Sequence, residues 1–251
     1  MNIFSNLFKK KEDIALLNDF GIVGIDMHSH LIPGIDDGAK TMADSLAMIA
    51  SLHEMGYFYF ITTPHIMMDH YRNTREGILS GLEQLQQAIV PTGMNVKVHA
   101  AAEYYLDSDF LHKIEHEPLL TLGKKYLLFE ISYLNAPDNL NDAIFLMQAN
   151  GYKPVLAHPE RYPFWYHSFK KYQDLKDKGV LFQLNINSLT GYYSPVTQKM
   201  AEKLIDAEMI DFLGTDCHHV GHLELMKQAL KNPRLSRLMA SGKIRNRELI
   251  D

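Results

Sequence analysis

The sequence predicts an α/β fold, a barrel of parallel strands linked by helices. Short β-rich runs recur seven times along 251 residues, and amphipathic stretches follow most of them. Strands that alternate with helices imply parallel pairing and right-handed crossovers. An open doubly wound sheet meets that pattern too, so the placement of polar residues has to decide. His28, His65, Glu103, Glu130, His158, Asn185 and Asp216 each lie at the end of a run or within two to three residues after it. Strand ends of a β/α barrel converge on one face, whereas an open sheet spreads them along a line. The barrel is the better reading.

The elements follow in order. "IVGIDM" at 22–27 reads as the first strand. Residues 41–55 read as a helix with Met42, Leu46, Ile49 and His53 along one face, the spacing of a helical stripe. "YFYFITT" at 57–63 is the second strand, followed by a helical stretch near 74–89 that Pro91 ends. "NVKVHAA" (95–101), "KYLLFEI" (125–131), "KPVLAH" (153–158), "VLFQLN" (180–185) and "DFLGT" (211–215) complete the strands. Helical patterns at about 139–150, 168–178, 195–207 and 222–239 follow the last four. No linker or repeat interrupts the series, so 21–251 reads as one domain and 1–20 as an N-terminal extension.

Composition narrows the function. A formal charge of −5 argues against a general nucleic-acid binder, which needs a basic face for phosphates. A phosphorylated substrate stays compatible, because bound cations reverse a local field. The single cysteine, Cys217, permits no internal disulfide and suits a reducing compartment, so the expected location is cytoplasmic. No run is long enough to span a bilayer. The opening "MNIFSNLFKKKED" lacks the basic-then-apolar order of a secretory signal. At most it offers a peripheral membrane contact through Phe4, Leu7, Phe8 and Lys9 to Lys11.

"GIDMHSHLIPGIDDG" at 24–38 concentrates metal-capable groups where the first strand ends. H-x-H places His28 and His30 on one side of an extended segment, because strand side chains alternate. Asp216 and His218 repeat that spacing with a carboxylate. The candidate ligands are His28, His30, Asp37, His65, Glu103, Glu130, His158, Asp216 and His218. Nine groups exceed one tetrahedral ion and suit two or three ions sharing a carboxylate. Mixed nitrogen and oxygen donors suit zinc, manganese or iron. The bland alternative is a polar barrel mouth with scattered histidines.

"DMHSH", "TPH", "AAE", "FE", "AHPER" and "TDCH" occur in that order at 26–30, 63–65, 101–103, 129–130, 157–161 and 215–218. This ordered set resembles the polymerase and histidinol phosphatase (PHP) superfamily. "HLIPGIDDGAKTMADSLAMI" and "LAHPERY" look like its bacterial capsule-biosynthesis protein-tyrosine phosphatases. The resemblance implies the PHP fold, a distorted (β/α)7 TIM-like barrel, with three divalent metal ions. Manganese is the metal it suggests, with iron and zinc as alternatives. It places His28, His30 and Asp216 on the first ion, and Glu103 as a bridge to the second. Glu130 and His158 would complete the second; Asp37, His65 and His218 would hold the third. Asp36 carries no role over from the family, and a turn or supporting carboxylate is its expected use.

The implied reaction is hydrolysis of phosphotyrosine on the tail of a bacterial tyrosine kinase that controls capsule or exopolysaccharide export. The implied nucleophile is a metal-bridging hydroxide. Phenolate departs readily, since its conjugate acid has a pKa of about 10. Arg161 is the candidate phosphate clamp, because guanidinium pairs bidentately with phosphate; an ion pair with Glu160 is the alternative. The family usually carries a second arginine after its D-x-H motif. Here "TDCHHVGHLEL" has His219 and His222 in that region, and these are the candidates to replace it. Tyr104, Tyr105, Phe164 to Tyr166 (with Trp165) and Tyr192 with Tyr193 are candidates for the substrate entrance.

Other readings stay in view. Cysteine-dependent tyrosine phosphatases need C-x5-R, but the sixth residue after Cys217 is Leu223. A small phosphomonoester such as histidinol phosphate is the nearest alternative substrate. An amidohydrolase-like metal hydrolase and a non-catalytic metal-loaded scaffold are more distant.

Overall fold

The computed structural model describes residues 16–250; the N-terminal contact residues Phe4 to Lys11 lie outside that range. Nine strand segments run parallel: β1 (Ile25–Asp26), β2 (Tyr59–Thr62), β3 (His65–Ile66), β4 (Lys97–Ala100), β5 (Glu103–Tyr105), β6 (Tyr126–Glu130), β7 (Lys153–Ala157), β8 (Leu181–Asn185) and β9 (Phe212–Gly214). They form seven rungs. β2 runs on into β3 across Pro64, which has no N–H to give a ladder, and β4 runs on into β5. Backbone bonds from Ala101 N to Thr62 O (2.9 Å) and from Glu103 N to Pro64 O (3.1 Å) carry the pairing across both breaks.

The ring closes between β9 and β1 by unusual means. Ser29 and Cys217 form one parallel bridge. Further down the seam a side chain replaces the ladder. Asn246 donates to Ile25 O (2.9 Å) and Leu213 O (2.7 Å), and accepts from Leu213 N (3.0 Å). The Asp26 carboxylate accepts from Thr215 N and Thr215 Oγ1, both at 3.0 Å. Wedging side chains into one seam gives the barrel its distortion.

Alternation along the strands builds two cores. Leu127 and Phe129 of β6, Leu156 of β7, and Phe182 and Leu184 of β8 join the large cluster beneath the helices. Tyr126, Leu128, Val155, Ala157 and Phe212 point the other way, with Met27 and Ile61, and fill the barrel interior. Glu130, Gln183 and Asn185 continue the inward-facing positions, so the interior turns polar toward the strands' C-terminal ends.

Around the strands lie α1 (Met42–Glu54), α2 (Arg75–Ile89), α3 (Ser108–His116), α4 (Leu140–Ala149), α5 (Lys170–Asp177), α6 (Pro195–Asp206), α7 (Val220–Ala229) and α8 (Pro233–Ala240). Three details differ from the sequence reading. The expected helix over 222–239 is two helices, because Asn232 caps α8 through Arg234 N (2.9 Å) and Pro233 opens it. α3 was not expected; Asp107 caps it, and it buries Phe110 and Ile114. α1 buries Ser45, Met48, Ile49 and Leu52, leaving only Ile49 common to the predicted face. His53 instead bonds Tyr57 O at 2.9 Å. Phe20 is fully buried in the large core and Leu17 packs against it.

Candidate active site

The nine predicted ligands converge at the C-terminal mouth of the barrel. Glu103 is at their centre. Its Oε2 lies 3.1 Å from His28 Nε2, 3.6 Å from His30 Nε2 and 3.3 Å from His65 Nδ1. Its Oε1 lies 3.0 Å from His158 Nε2. Asp216 Oδ1 faces His28 Nε2 at 3.4 Å and His30 Nε2 at 3.6 Å. Glu130 reaches His65 Nδ1 at 3.2 Å and His158 Nε2 at 3.9 Å. Asp37, half exposed at the rim, is 3.5 Å from both His65 Nε2 and His218 Nε2.

Donor atoms gather into four overlapping sets: His28, His30 and Asp216; His28, Glu103 and His158; His65, Glu103 and Glu130; His30, Asp37, His65 and His218. His65 belongs to two sets, with one nitrogen toward each, so its assignment to Asp37 and His218 alone is not unique in this geometry.

The local backbone is shaped for this convergence. His158 (φ 34°) and Asp216 (φ 49°) both lie in the left-handed region, a conformation that costs about 1–3 kcal/mol where no glycine supplies it. Gly38 lets the loop fold back: a Cβ there would sit 2.3 Å from His30 Cβ. That approach brings Asp36 beneath His30, where Oδ2 accepts from His30 Nδ1 (2.7 Å) and His65 N (3.2 Å).

Divalent cations fit the cluster. Asp37, Glu103, Glu130 and Asp216 bring four carboxylates together, three of them buried, and buried charge is costly unless compensated. His30 Nε2 and His65 Nδ1 are buried without a hydrogen-bond partner and face those carboxylates. The surroundings also draw positive charge. Burial opposes protonation of His65, yet Glu103 and Glu130 outweigh it and push the pKa up to about 9. Burial pushes the Glu103 carboxyl up, but the His28 and His65 imidazoles hold it well below its ordinary value.

A cavity of about 720 Å³ opens over the cluster. Arg161 lines it, its guanidinium 4.8 Å from the Tyr133 ring and 4.1 Å from the Tyr193 ring. Its Nη1 donates to Asp216 Oδ2 at 3.0 Å, so its partner is Asp216 and not Glu160. Glu160 is buried and accepts from Asn185 N (3.0 Å) and Ser188 Oγ (2.6 Å). His219 and His222 line the same cavity. His222 Nδ1 lies 3.2 Å from Asp216 O and 3.3 Å from His218 N, and its Nε2 lies 3.4 Å from Tyr192 Oη. Burial and the neighbouring His219 lower its pKa to about 4.

The aromatic candidates divide. Tyr192 lines the cavity and is 47% exposed, but Tyr105 does not line it. Tyr104 and Trp165 are core side chains, a correction to the expected entrance. Tyr104 stacks on Phe110 at 4.9 Å and its hydroxyl accepts from Leu120 N at 2.9 Å. As the next residue after inward-facing Glu103, it points outward. Trp165 sits edge-on to Tyr162, Phe164 and Tyr172. Tyr71, Tyr133 and Met67 line the cavity without having been anticipated. Tyr133 was accessible to the same strand-end reasoning, three residues after Glu130. Tyr71 follows a turn, paired Met67 to Tyr71, that nothing in the local pattern announces.

Fold and cluster together define a class: a β/α barrel with a shared histidine–carboxylate centre at its C-terminal mouth. Within that class, the family described as "Capsular polysaccharide synthesis, CpsB/CapC" matches residues 24–232, and the chain belongs to it. Tyrosine-protein phosphatase YwqE of Bacillus subtilis is 28% identical over 197 residues, covering 78% of each chain. Tyrosine-protein phosphatase CpsB of Streptococcus pneumoniae is 25% identical over 202 residues, 78% of this chain and 83% of the relative. A crystal structure from work on YwqE and CpsB, there called unique metal-dependent tyrosine phosphatases, superposes with a TM-score of 0.81. It is 26% identical and the match covers 90% of this chain and 94% of that one.

Proposed function

We propose that this single-domain chain is a metal-dependent protein-tyrosine phosphatase acting in capsule or exopolysaccharide synthesis, on the phosphotyrosyl tail of a bacterial tyrosine kinase. The observation that carries the reading is the joint placement of the shared carboxylate Glu103, five imidazoles and Arg161 around one cavity. Three divalent ions, manganese by preference, suit the four overlapping donor sets. His28, His30 and Asp216 would hold the first, Glu130 and His158 the second, and Asp37, His65 and His218 the third, with Glu103 between the first two. Bound there, such ions make water a nucleophile near neutral pH and neutralise phosphoryl oxygens.

The chain's own groups do the rest. Arg161 pairs with the phosphoryl oxygens, held by the Tyr133 and Tyr193 rings and by Asp216. His222 Nε2, 3.4 Å from Tyr192 Oη, stands toward a phosphoryl or phenolic oxygen, and His219 lies beside it with ring centroids 4.0 Å apart. Tyr71, Tyr133 and Tyr192 supply faces for the substrate ring. Cytoplasmic residence suits the one buried thiol, Cys217, and none of the described helices is long and apolar enough to cross a membrane.

The test compares hydrolysis of a phosphotyrosyl kinase tail with that of histidinol phosphate after reconstitution with manganese, iron or zinc. Faster turnover of the kinase tail supports the proposal. Preference for histidinol phosphate moves the chain to small-molecule chemistry, and inactivity on every phosphoester removes the phosphatase reading.

A further inference from the structure

Beneath the centre, two amides of β8 link groups on opposite sides of it. Gln183 and Asn185 are fully buried and two residues apart, so both point inward. Gln183 Oε1 lies 2.8 Å from His28 Nδ1 and 3.3 Å from His158 N. Gln183 Nε2 lies 2.8 Å from Asn185 Oδ1, and Asn185 Nδ2 lies 2.5 Å from Asp216 Oδ2.

One group sets the polarity of the whole chain. The His158 backbone N–H can only donate, so the Gln183 atom facing it is the oxygen. That oxygen also faces His28, whose Nδ1 must then carry the proton and whose Nε2 presents its lone pair to the centre. Gln183 therefore gives its N–H to Asn185 Oδ1, and Asn185 gives its own N–H to Asp216 Oδ2. Arg161 and the Tyr193 hydroxyl also reach that oxygen, at 3.0 Å and 3.4 Å. Asp216 Oδ2 is thereby filled and Oδ1 is left facing His28 and His30. The sheet leaves room for the device: a Cβ on Gly214 would sit 2.5 Å from Gln183 Nε2 and 2.7 Å from His28 Cβ.

We propose that Gln183 and Asn185 are positioning residues, a polarised amide relay that fixes the His28 tautomer and leaves Asp216 one free oxygen for the metal. The relay is a property of this chain's hydrogen bonds; its use in metal binding rests on the proposed function above.

The test uses the full chain, first metal-free and then loaded with zinc. Histidine 15N NMR of the metal-free chain, at a pH where His28 is neutral, reports which nitrogen carries the proton, and chelator competition on the zinc-loaded chain reports metal affinity. In the wild type His28 is protonated on Nδ1. Gln183→Leu is expected to lose that single tautomer and to bind zinc about 10- to 100-fold more weakly. Gln183→Glu keeps the acceptor and is expected to retain the Nδ1–H form, while losing the donor to Asn185 and weakening zinc binding less. Should the leucine variant fail to fold, the glutamate variant still decides. Loss of the Nδ1–H form in it, or unchanged tautomer and affinity in a folded Gln183→Leu, overturns the relay. A wild type that holds the tautomer but binds no zinc overturns the metal reading of the site instead.

Discussion

Asp36 and Asp37 adjoin in sequence and act on the rings of different histidines. Asp37 faces His65 and His218 from the rim. Asp36 is buried and accepts from His30 Nδ1 at 2.7 Å, which turns His30 Nε2 toward Glu103 and Asp216. Carboxylate partners of this kind orient a ligand and raise its basicity, and their loss typically costs 10- to 100-fold in metal affinity. Asp36→Ala is therefore expected to weaken manganese binding by about that factor while the chain stays folded, as read by chelator competition and circular dichroism. Equal affinity in the variant would show that His30 needs no such partner. His222 is the second residue-scale case. A hydrogen bond to a charged group contributes about 1.5–3 kcal/mol, so His222→Ala should lower kcat/KM on a phosphotyrosyl peptide about 10- to 100-fold. Full activity in that variant would remove His222 from substrate contact.

At the scale of elements, the β1/β9 seam is the least regular part of the barrel and the most exposed to a single substitution. Asn246 makes three hydrogen bonds there, all with backbone groups of the first and last strands. Asn246→Ala leaves those buried groups without partners and is expected to cost about 2–3 kcal/mol. In a chain of this size that lowers Tm by about 5–10 °C, measured by thermal unfolding of the metal-loaded protein. Catalysis at low temperature should survive, since Asn246 bonds only Ile25 and Leu213 and none of the metal-capable side chains. Nothing in the sequence marks this asparagine, because its role is to imitate a ladder between strands some 190 residues apart in the chain, as with the bond from Thr215 to Asp26. The strands themselves were legible, since each is a short β-rich run of inward and outward positions. The clustered ligands were legible for a related reason: strand ends in a barrel must meet. What escaped is what three-dimensional neighbours decide. α3 offers only Phe110 and Ile114 as its buried stripe, too little periodicity to register. Tyr104 reads as an aromatic beside a ligand, and only the alternation of the strand sends it into the outer core.

For the whole molecule, the concentration of charge at one mouth links folding to the bound cations. Asp36, Glu103, Glu130 and Asp216 are buried within a few residues' reach of Asp37, while the chain carries a formal charge of −5. Imidazoles answer only part of that negative charge, and each histidine that takes a proton to do so gives up a lone pair the metal would use. Cations that bind the folded barrel and not the unfolded chain stabilise it by mass action, about 4 kcal/mol at a thousandfold excess over Kd. Chelation is thus expected to lower Tm, and added manganese to restore it with a midpoint that climbs as the metal concentration is raised. The dependence should be steeper for the wild type than for Glu103→Gln, because Glu103 is the carboxylate most groups share. A Tm indifferent to chelator in the wild type would mean that the cluster is held by its own hydrogen bonds, and that its carboxylates and imidazoles balance without a metal.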